Sequence, residues 1–199
     1  MSATQRRPTK GRARVDWIDL PAFGTADHEP VIEPATYVAR LARLRERMAE
    51  GKLERVLVYA DREHSANISW LTGFDPRFEE ALLVIGRDSV AILVGNECWG
   101  AAGAAPLPMN RHLFQDFSLP GQPRDRSRPL ADILTAEGVG KATRVGLMGW
   151  KTYAQPWMSD LPAYLVDTVR GLCAADDVVN ATGLLIDAQD GLRVINEPE

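Results

Sequence analysis

Three short apolar runs limit most strongly what this 199-residue chain can fold into. They are Arg55–Ala60, Ala81–Ile85 and Val90–Val94, and none has a charged residue in its interior. Runs of this length and composition predict strands that are buried on both faces of an α/β sheet. Gly86–Ser89 has the length and composition of a hairpin turn, so the second and third strands are predicted to be antiparallel neighbours. The sheet is therefore expected to be mixed.

Helical periodicity begins at Glu33-Pro34, a pair that suits the first turn of a helix, and Gly51 is expected to end it. The apolar positions of this helix are Tyr37, Leu41, Leu44 and Met48. The charged residues between them are predicted to face water: Arg40, Arg43, Arg47 and Glu50. A second helix is predicted through Asn67–Leu71, with Asp61 or Ser65 as its cap and an end at Gly73.

The rest of the chain continues the alternation of strands and helices. We predict a helix near Glu97–Ala105, a strand around His112–Phe114, a helical face at Leu130, Ile133 and Leu134, a strand at Thr143–Met148, a helix capped by Ser159, and a closing strand at Val178 and Val179. This order predicts one α/β domain over residues 34–190, with a mixed, mostly buried sheet flanked by helices. Residues 1–33 are predicted to form an irregular N-terminal arm.

The charge distribution argues against nucleic acid as a partner. The net charge is -4 and the pI is near 5.5, whereas a nucleic-acid binder normally has a basic face. The basic residues that precede any acidic residue lie in the arm, where a solvated, disordered tail is expected. They are Arg6, Arg7, Lys10, Arg12 and Arg14.

The cysteines and the apolar runs indicate in which cellular compartment the protein is expected. Cys98 and Cys173 are isolated and lack the spacing of a disulfide scaffold or a metal motif. The basic start is not followed by the apolar region of a secretory signal, and no apolar run reaches the length of a membrane span. We therefore expect a cytoplasmic protein with no membrane partner.

The histidines do not predict a metal site. His28, His64 and His112 lie far apart in the sequence and lack the spacing that brings ligands together on one element. Asp61, Glu63 and His64 are close in sequence, but a capped and solvated helix start is the favoured interpretation of that segment. We expect no metal and no cofactor in this chain.

No pattern of catalytic residues stands out either. Glu79 and Glu80 are adjacent, and adjacent strand residues point to opposite faces, so they are not expected to act on one bond. Cys98 is interpreted as a buried thiol. Residues 138–143 superficially resemble the end of a phosphate-binding loop, but they follow a helix, and a helix end explains their glycines. We therefore predict no catalytic residue.

One stretch carries a more specific pattern: Asn67-Ile-Ser-Trp-Leu-Thr-Gly-Phe74, followed by Asp75-Pro-Arg-Phe-Glu-Glu80 and the strand Ala81–Ile85. It resembles the creatinase and aminopeptidase P family, in whose N-terminal domain a helix ends in such a motif and turns into a central strand. The resemblance implies the creatinase N-terminal fold for residues 34–190.

Further landmarks extend the resemblance from Tyr37 to Arg193. They are Gly149-Trp-Lys151 after an apolar strand, Asn180-Ala-Thr182, and Gly191-Leu-Arg193. Asn196 stands where relatives commonly have a lysine, which is a departure within the predicted linker. Each landmark alone is only moderately specific, and their order along the chain is what strengthens the resemblance.

The resemblance implies a division of labour. Family members break bonds with two divalent ions, Mn, Co or Zn, held by carboxylates and a histidine in a C-terminal pita-bread domain. This chain is expected to lack that domain, and residues 191–199 are expected to begin the linker to it. The implied function is a non-catalytic domain for substrate recognition and homodimerisation in a metal-dependent Xaa-Pro aminopeptidase or creatinase-like hydrolase.

Candidate substrate-binding residues follow from the same resemblance. In relatives, the region after Gly73 reaches across a dimer interface, where an arginine and an aromatic residue help to hold the substrate. Arg77 and Phe78 occupy comparable positions, and Trp70 of the motif is a third candidate. A guanidinium binds a carboxylate through two parallel hydrogen bonds, and an aromatic ring excludes water around it. The alternative is an Arg77–Glu80 surface pair beside a core phenylalanine.

Two other functions stay open at this point. The first alternative is a stand-alone binding or scaffolding domain, because a fold does not dictate a function. The second alternative is the N-terminal domain of a relative with creatinase or lyase chemistry. The gene sequence beyond Glu199 distinguishes these alternatives.

Overall fold

The computed structural model of the chain describes residues 16–19, 21, 24 and 31–194. The chain divides into two compact units, Met1–Val31 and Ile32–Glu199. The described residues of the first unit form no helix or strand, and Trp17 and Ile18 are fully or largely exposed. The basic residues at 6–14 and Asn196 lie outside the described residues.

The second unit alternates strands and helices in the predicted order. Its described helices are α1 (Pro34–Glu50), α2 (Ala66–Thr72), α3 (Cys98–Gly103), α4 (Leu130–Ala136), α5 (Ala163–Leu172) and α6 (Gly183–Ile186). Its described strands are β1 (Arg55–Ala60), β2 (Ala81–Ile85), β3 (Val90–Val94), β4 (Asn110–Leu113), β5 (Val145–Met148) and β6 (Val178–Asn180). None of the helices in the described part of the chain combines the length and apolarity needed to cross a membrane.

The strands form one mixed, six-stranded sheet in the order β4-β3-β2-β1-β5-β6. β2 is antiparallel to both of its neighbours, β1 and β3. The outer pairs are parallel: β3 with β4, β1 with β5, and β5 with β6. The predicted α/β class, the mixed sheet and the β2–β3 hairpin are confirmed.

Helices cover both faces of this sheet. Along β1, Val56 and Val58 belong to a core shared with α1, α2, α3 and α6, whereas Leu57 and Tyr59 belong to a core shared with α4 and α5. The first of these two layers is called the α1 layer below, and the second the α5 layer. Because both faces are covered, the central strands are buried along almost their whole length and are apolar without alternation.

Helix α1 has the predicted bounds, but one of its side chains contradicts the prediction. Arg40, which we expected in water, is only 2% exposed. Its Nη1 donates to the backbone oxygen of Trp70 at 3.0 Å, and its guanidinium lies 4.7 Å from the centre of the Trp70 ring. Helix α2 packs against this side of α1, so the buried face of α1 is wider than its apolar residues indicate.

Two further element ends differ from the prediction. Helix α5 begins at Ala163 with Pro162 at its cap position, and Ser159 is therefore not the cap. The Ser159 hydroxyl instead accepts a hydrogen bond from the N–H of Leu161 at 3.2 Å, in the turn before the helix. Strand β5 begins at Val145, after a turn in which the Thr143 hydroxyl donates to the oxygen of Gly138.

The glycine-rich segment 138–143 ends helix α4, as predicted. Gly138 has a φ of 84°, in the left-handed region that favours glycine. The N–H of Val139 then donates to the oxygen of Leu134 at 2.9 Å, which satisfies one of the last carbonyls of the helix. The segment therefore connects α4 to β5 and does not have the strand, loop and helix order of a phosphate-binding loop.

Candidate functional site

The candidate residues lie along one edge of the sheet. The strand register places Ala60 opposite Ala81, Ala81 opposite Val94, Val94 opposite Leu113, and Val58 opposite Met148. Strands β1, β3, β4, β5 and β6 therefore all end at this edge, and β2 begins there. We call this end of the sheet the carboxyl edge, which is not to be confused with the outer strands β4 and β6. Loops at the carboxyl ends of strands are where α/β sheets commonly bind ligands.

The segment between α2 and β2 crosses this edge, and we call residues 73–80 the site loop. It begins at Gly73, whose φ of 72° ends helix α2 in the left-handed conformation. The Thr72 hydroxyl donates to the oxygen of Ile68 at 2.8 Å and accepts from the N–H of Phe74 at 3.1 Å. Phe74 is buried, which anchors the start of the site loop in the α1 layer.

Arg77 and Phe78 form the exposed tip of the site loop. Arg77 has a φ of 55°, and its N–H donates to Oδ1 of Asp75 at 2.8 Å in a tight turn. The Phe78 side chain is 65% exposed, so the alternative of a core phenylalanine is wrong. Among the described residues, Arg77 makes no ion pair with Glu80. A guanidinium and an aromatic ring therefore face solvent side by side.

Trp70 lies one turn before the site loop, and its ring contacts Arg40 of helix α1 rather than the tip of the loop. It is half-buried on α2, with Arg40 over its ring, and it packs against the core of the α1 layer. In the described part of the chain, no hydrogen bond or ring contact joins Trp70 to Arg77 or Phe78. The structure therefore brings together two of the three candidate residues, and Trp70 supports the helix that precedes them.

Glu79 fixes the site loop to helix α3 in the α1 layer. Its side chain is 2% exposed, and its two oxygens accept the N–H groups of Glu97 at 3.2 Å and Cys98 at 3.0 Å. The Cys98 thiol donates to the oxygen of Pro76 at 2.9 Å and is buried, as predicted. Burial and the neighbouring Glu79 raise the pKa of Cys98 to about 12. This thiol is therefore a structural group rather than a nucleophile.

Glu80 points the opposite way, into the α5 layer. Its Oε2 accepts the hydroxyl of Tyr59 at 2.7 Å and the hydroxyl of Tyr164 at 3.2 Å. Glu79 and Glu80 therefore lie on opposite faces, as the alternation along a strand predicts, and they do not form a pair across one bond. Sequence reasoning did not identify the two tyrosines, because they come from β1 and α5, which are far from Glu80 in sequence.

The raised pKa values of Tyr59, Tyr164 and Cys98 predict that alkaline pH destabilises the fold. Burial, followed by Glu80, raises the pKa values of Tyr59 and Tyr164 above their ordinary value, and the pKa of Cys98 is also raised. Because the unfolded chain loses these protons at lower pH than the folded chain, their contribution to stability is complete below about pH 8.5 and is lost as pH rises further.

Urea denaturation at a series of pH values checks this expectation. The free energy of unfolding should be nearly constant up to about pH 8.5 and should fall steadily through the range of about 9 to 12. Tyr164→Phe should reduce the slope, because it removes one group whose pKa is raised. A profile that stays flat to pH 11, or a slope that Tyr164→Phe leaves unchanged, would show that these groups titrate normally.

A second cluster on the carboxyl edge consists of residues from the separate sequence landmarks, which hydrogen-bond to one another. Asn67, which is buried, donates from Nδ2 to the oxygen of Gly149 at 2.7 Å and accepts at Oδ1 from Nη1 of Arg193. The N–H of Gly149 donates to the hydroxyl of Thr182 at 3.0 Å. The N–H of Thr182 donates to Oδ1 of Asn180 at 2.9 Å. Each landmark was noted separately in the sequence, and only the fold shows that they meet.

The described histidines are paired with carboxylates. Nδ1 of His64 lies 2.9 Å from Oδ1 of Asp61, which also accepts the N–H groups of Glu63 and His64 and so caps this turn. Nε2 of His112 lies 2.6 Å from Oε1 of Glu137. Over the residues that the structure describes, no three His, Cys, Asp or Glu side chains are grouped so as to hold a metal ion. His28 lies outside those residues.

Solved structures with this fold come from dipeptidases. One is the Creatinase/Prolidase N-terminal domain of an X-Pro dipeptidase from Streptococcus pyogenes, which is 15% identical, with a TM-score of 0.51 over 72% of this chain and 94% of that chain. Another is an Xaa-Pro dipeptidase from Bacillus anthracis, which is 10% identical, with a TM-score of 0.50 over 77% of this chain and 36% of that chain. Dipeptidase PepE from Mycobacterium ulcerans is 13% identical, with the same TM-score and coverage.

This chain therefore spans about a third of the length of the last two dipeptidases and matches almost all of the separately solved domain. At these identities the likeness shows the fold alone. Comparison with curated protein sequences finds no match.

The sequence itself matches a family profile. The profile of the Creatinase/Prolidase N-terminal domain covers residues 40–185, which is most of the second unit. The matched range includes α2, the whole site loop, and the landmarks that begin at Gly149 and Asn180. The chain therefore belongs to the Creatinase/Prolidase N-terminal domain family.

Proposed function

We propose that this chain is the substrate-recognition and dimerisation domain of a metal-dependent Xaa-Pro peptidase or creatinase-like hydrolase, and that it breaks no bond itself. Family membership supports this proposal, because a solved relative with this fold is the N-terminal domain of an X-Pro dipeptidase. The observation that carries it is the tip of the site loop, where Arg77 and Phe78 are both exposed.

The chemistry of the tip suits a peptide substrate. The Arg77 guanidinium is able to donate two parallel hydrogen bonds to a carboxylate, and the exposed Phe78 ring offers apolar surface to the body of a substrate. Gly73, Glu79 and Glu80 fix the loop at three points, so little conformational entropy is lost when substrate binds. In this proposal Trp70 contributes by holding α2, and through it the start of the site loop.

The proposal assigns the hydrolytic chemistry to a second, C-terminal domain. That domain would hold two divalent ions, Mn, Co or Zn, and this chain spans only about a third of the dipeptidases that it matches. Among the described residues, no three His, Cys, Asp or Glu side chains are grouped to hold a metal ion, and the proposal gives these residues no metal-binding role. A second copy of the chain is the other proposed partner, with the site loop of one copy completing the substrate pocket of the other.

The proposal predicts the kinetics of substitutions at the tip. In the longer parent enzyme, Arg77→Ala should lower kcat/KM for an Xaa-Pro peptide by about tenfold or more, because charge-assisted hydrogen bonds to the substrate are lost. Arg77→Lys should give an intermediate kcat/KM, since lysine keeps the positive charge but lacks the planar guanidinium that donates two parallel hydrogen bonds. Phe78→Ala should also lower kcat/KM, and steady-state kinetics measures all three.

Arg87→Ala is the matched control. Arg87 is an exposed arginine in the β2–β3 turn, at the opposite edge of the sheet, so its loss changes the net charge equally. Arg87→Ala should leave kcat/KM unchanged. Normal kinetics in Arg77→Ala, in a protein that melts like the parent, would reduce Arg77 to an ordinary surface residue and would contradict its proposed role in substrate recognition.

Metal addition tests the assignment of chemistry to the other domain. Adding Mn²⁺ or Co²⁺ to the 199-residue chain should leave its melting temperature unchanged, because only an ion that binds the native state raises it by mass action. An increase that saturates with metal concentration would reveal a site in this chain and would contradict the proposal.

A further inference from the structure

A cleft of about 310 Å³ opens on the carboxyl edge, beside the cluster around Asn67. Its lining includes Glu63, His64, Asn67, Trp150, Ile186 and Arg193. The site loop contributes none of these residues, so the cleft is distinct from the proposed substrate-binding tip.

Arg193 supplies a positive charge to the cleft. Its Nη1 donates to Oδ1 of Asn67, and none of the ion pairs within the described part of the chain includes it. A guanidinium has five N–H donors, so Arg193 has donors left over for a ligand. Arg193 is half-buried, and this burial lowers the pKa of its guanidinium. A half-buried cation with free donors is stabilised by an anionic ligand.

The guanidinium is also held in place. Asn67 is buried, and its Nδ2 donates to the oxygen of Gly149, so its Oδ1 is oriented toward Arg193. The N–H of Arg193 donates to the oxygen of Leu185 at 2.9 Å, which fixes the backbone that carries the side chain. A preorganised guanidinium loses little entropy when it binds a ligand.

An aromatic wall stands beside this cation. The imidazole of His64 stacks on the indole of Trp150 with 4.6 Å between ring centres and an interplanar angle of 16°. Asp61 holds His64 through Nδ1, and Nζ of Lys151 lies 4.7 Å from the centre of the Trp150 ring. The Trp150 side chain is 46% exposed, so part of its surface is open to a ligand. Ile186 adds apolar surface to the cleft.

We propose that this cleft binds a small monocarboxylate with a flat or apolar body. The carboxylate receives hydrogen bonds from Arg193, and the body lies against the His64–Trp150 wall. A single negative charge fits better than a phosphate, because the Glu63 carboxylate in the lining repels a dianion about twice as strongly as a monocarboxylate. This site is separate from the function proposed for Arg77 and Phe78, and either proposal can fail without the other.

Benzoate is the probe, and benzamide is its neutral isostere. Titration of the 199-residue chain with each, followed by the indole N–H signal of Trp150 in NMR spectra, gives their affinities. Trp150→Phe identifies that signal among the five tryptophans. Benzoate should shift the signal in a saturable way, and benzamide should bind about tenfold or more weakly, because it lacks the charge that Arg193 recognises.

Substitutions assign the binding to the cleft. Arg193→Gln keeps a donor for Asn67 but loses the charge, and it should weaken benzoate binding by about tenfold or more. Trp150→Leu lacks the indole signal, so its binding is measured by isothermal titration calorimetry. It should weaken benzoate and benzamide alike, and it provides a second test if Arg193→Gln does not fold. Equal affinities for benzoate and benzamide, wild-type affinity for benzoate in Arg193→Gln, or no benzoate-dependent shift would each overturn the proposal.

Discussion

Gly73→Ala is expected to lower the free energy of unfolding by about 2–5 kcal/mol, the largest effect that we predict for a single methyl group in this chain. Two causes add. Gly73 has a φ of 72°, where an alanine is strained by about 1–2 kcal/mol. A Cβ at this position would also lie 2.9 Å from atoms of Pro106 and Tyr37, so the packed core would have to move.

Gly121→Ala separates the two causes. Gly121 has a φ of 83°, but a Cβ there would meet no atom within 4 Å. Its substitution should cost only the backbone term of about 1 kcal/mol. Urea denaturation of both variants, analysed by linear extrapolation, measures the difference. Equal destabilisation of the two variants would show that the close packing of Gly73 against Pro106 and Tyr37 does not contribute to the free energy of unfolding.

Glu79→Gln is expected to lower the free energy of unfolding by about 2–4 kcal/mol although it changes a single atom. Both carboxylate oxygens of Glu79 accept backbone N–H groups, those of Glu97 and Cys98. Glutamine replaces one oxygen by an NH₂ group, which places a donor against a donor in a buried site. One backbone N–H is then left unsatisfied, and such groups are costly when buried.

Glu97→Gln is the matched control for Glu79→Gln, because it removes the same charge from an exposed neighbour. Its stability should stay within about 0.5 kcal/mol of the wild type. A second measurement is the reaction of Cys98 with a thiol reagent. It should become faster in Glu79→Gln, since the charge of Glu79 helps to raise the pKa of the Cys98 thiol. Unchanged stability and unchanged thiol reactivity together would show that Glu79 does not anchor the site loop.

The central strands were predictable from the sequence to the residue. The bounds of β1, β2 and β3 coincide with the three apolar runs, because helices cover both faces of these strands and exclude polar side chains from them. Strand β5 and helix α5 were placed less accurately. Their ends depend on local hydrogen bonds of Thr143 and Ser159, which compositional patterns do not resolve.

The candidate site was only partly predictable. The sequence motif located the site loop, but it did not show that Phe78 is exposed, because an aromatic residue before a strand is as compatible with the core as with the surface. The helical pattern of residues 34–50 predicted that Arg40 faces water, because a cation between apolar helical positions normally does. In the structure, the ring and the carbonyl oxygen of Trp70 take the place of that water. The contacts of Asn67 with Gly149 and Arg193 join segments 82 and 126 residues apart.

The opposite orientations of Glu79 and Glu80 link the site loop to the whole thickness of the domain. One carboxylate is held by α3 above the sheet, and the other by tyrosines of β1 and α5 below it. Because these contacts hold the site loop from both sides, we expect a displacement of either helix to move the adjoining tip.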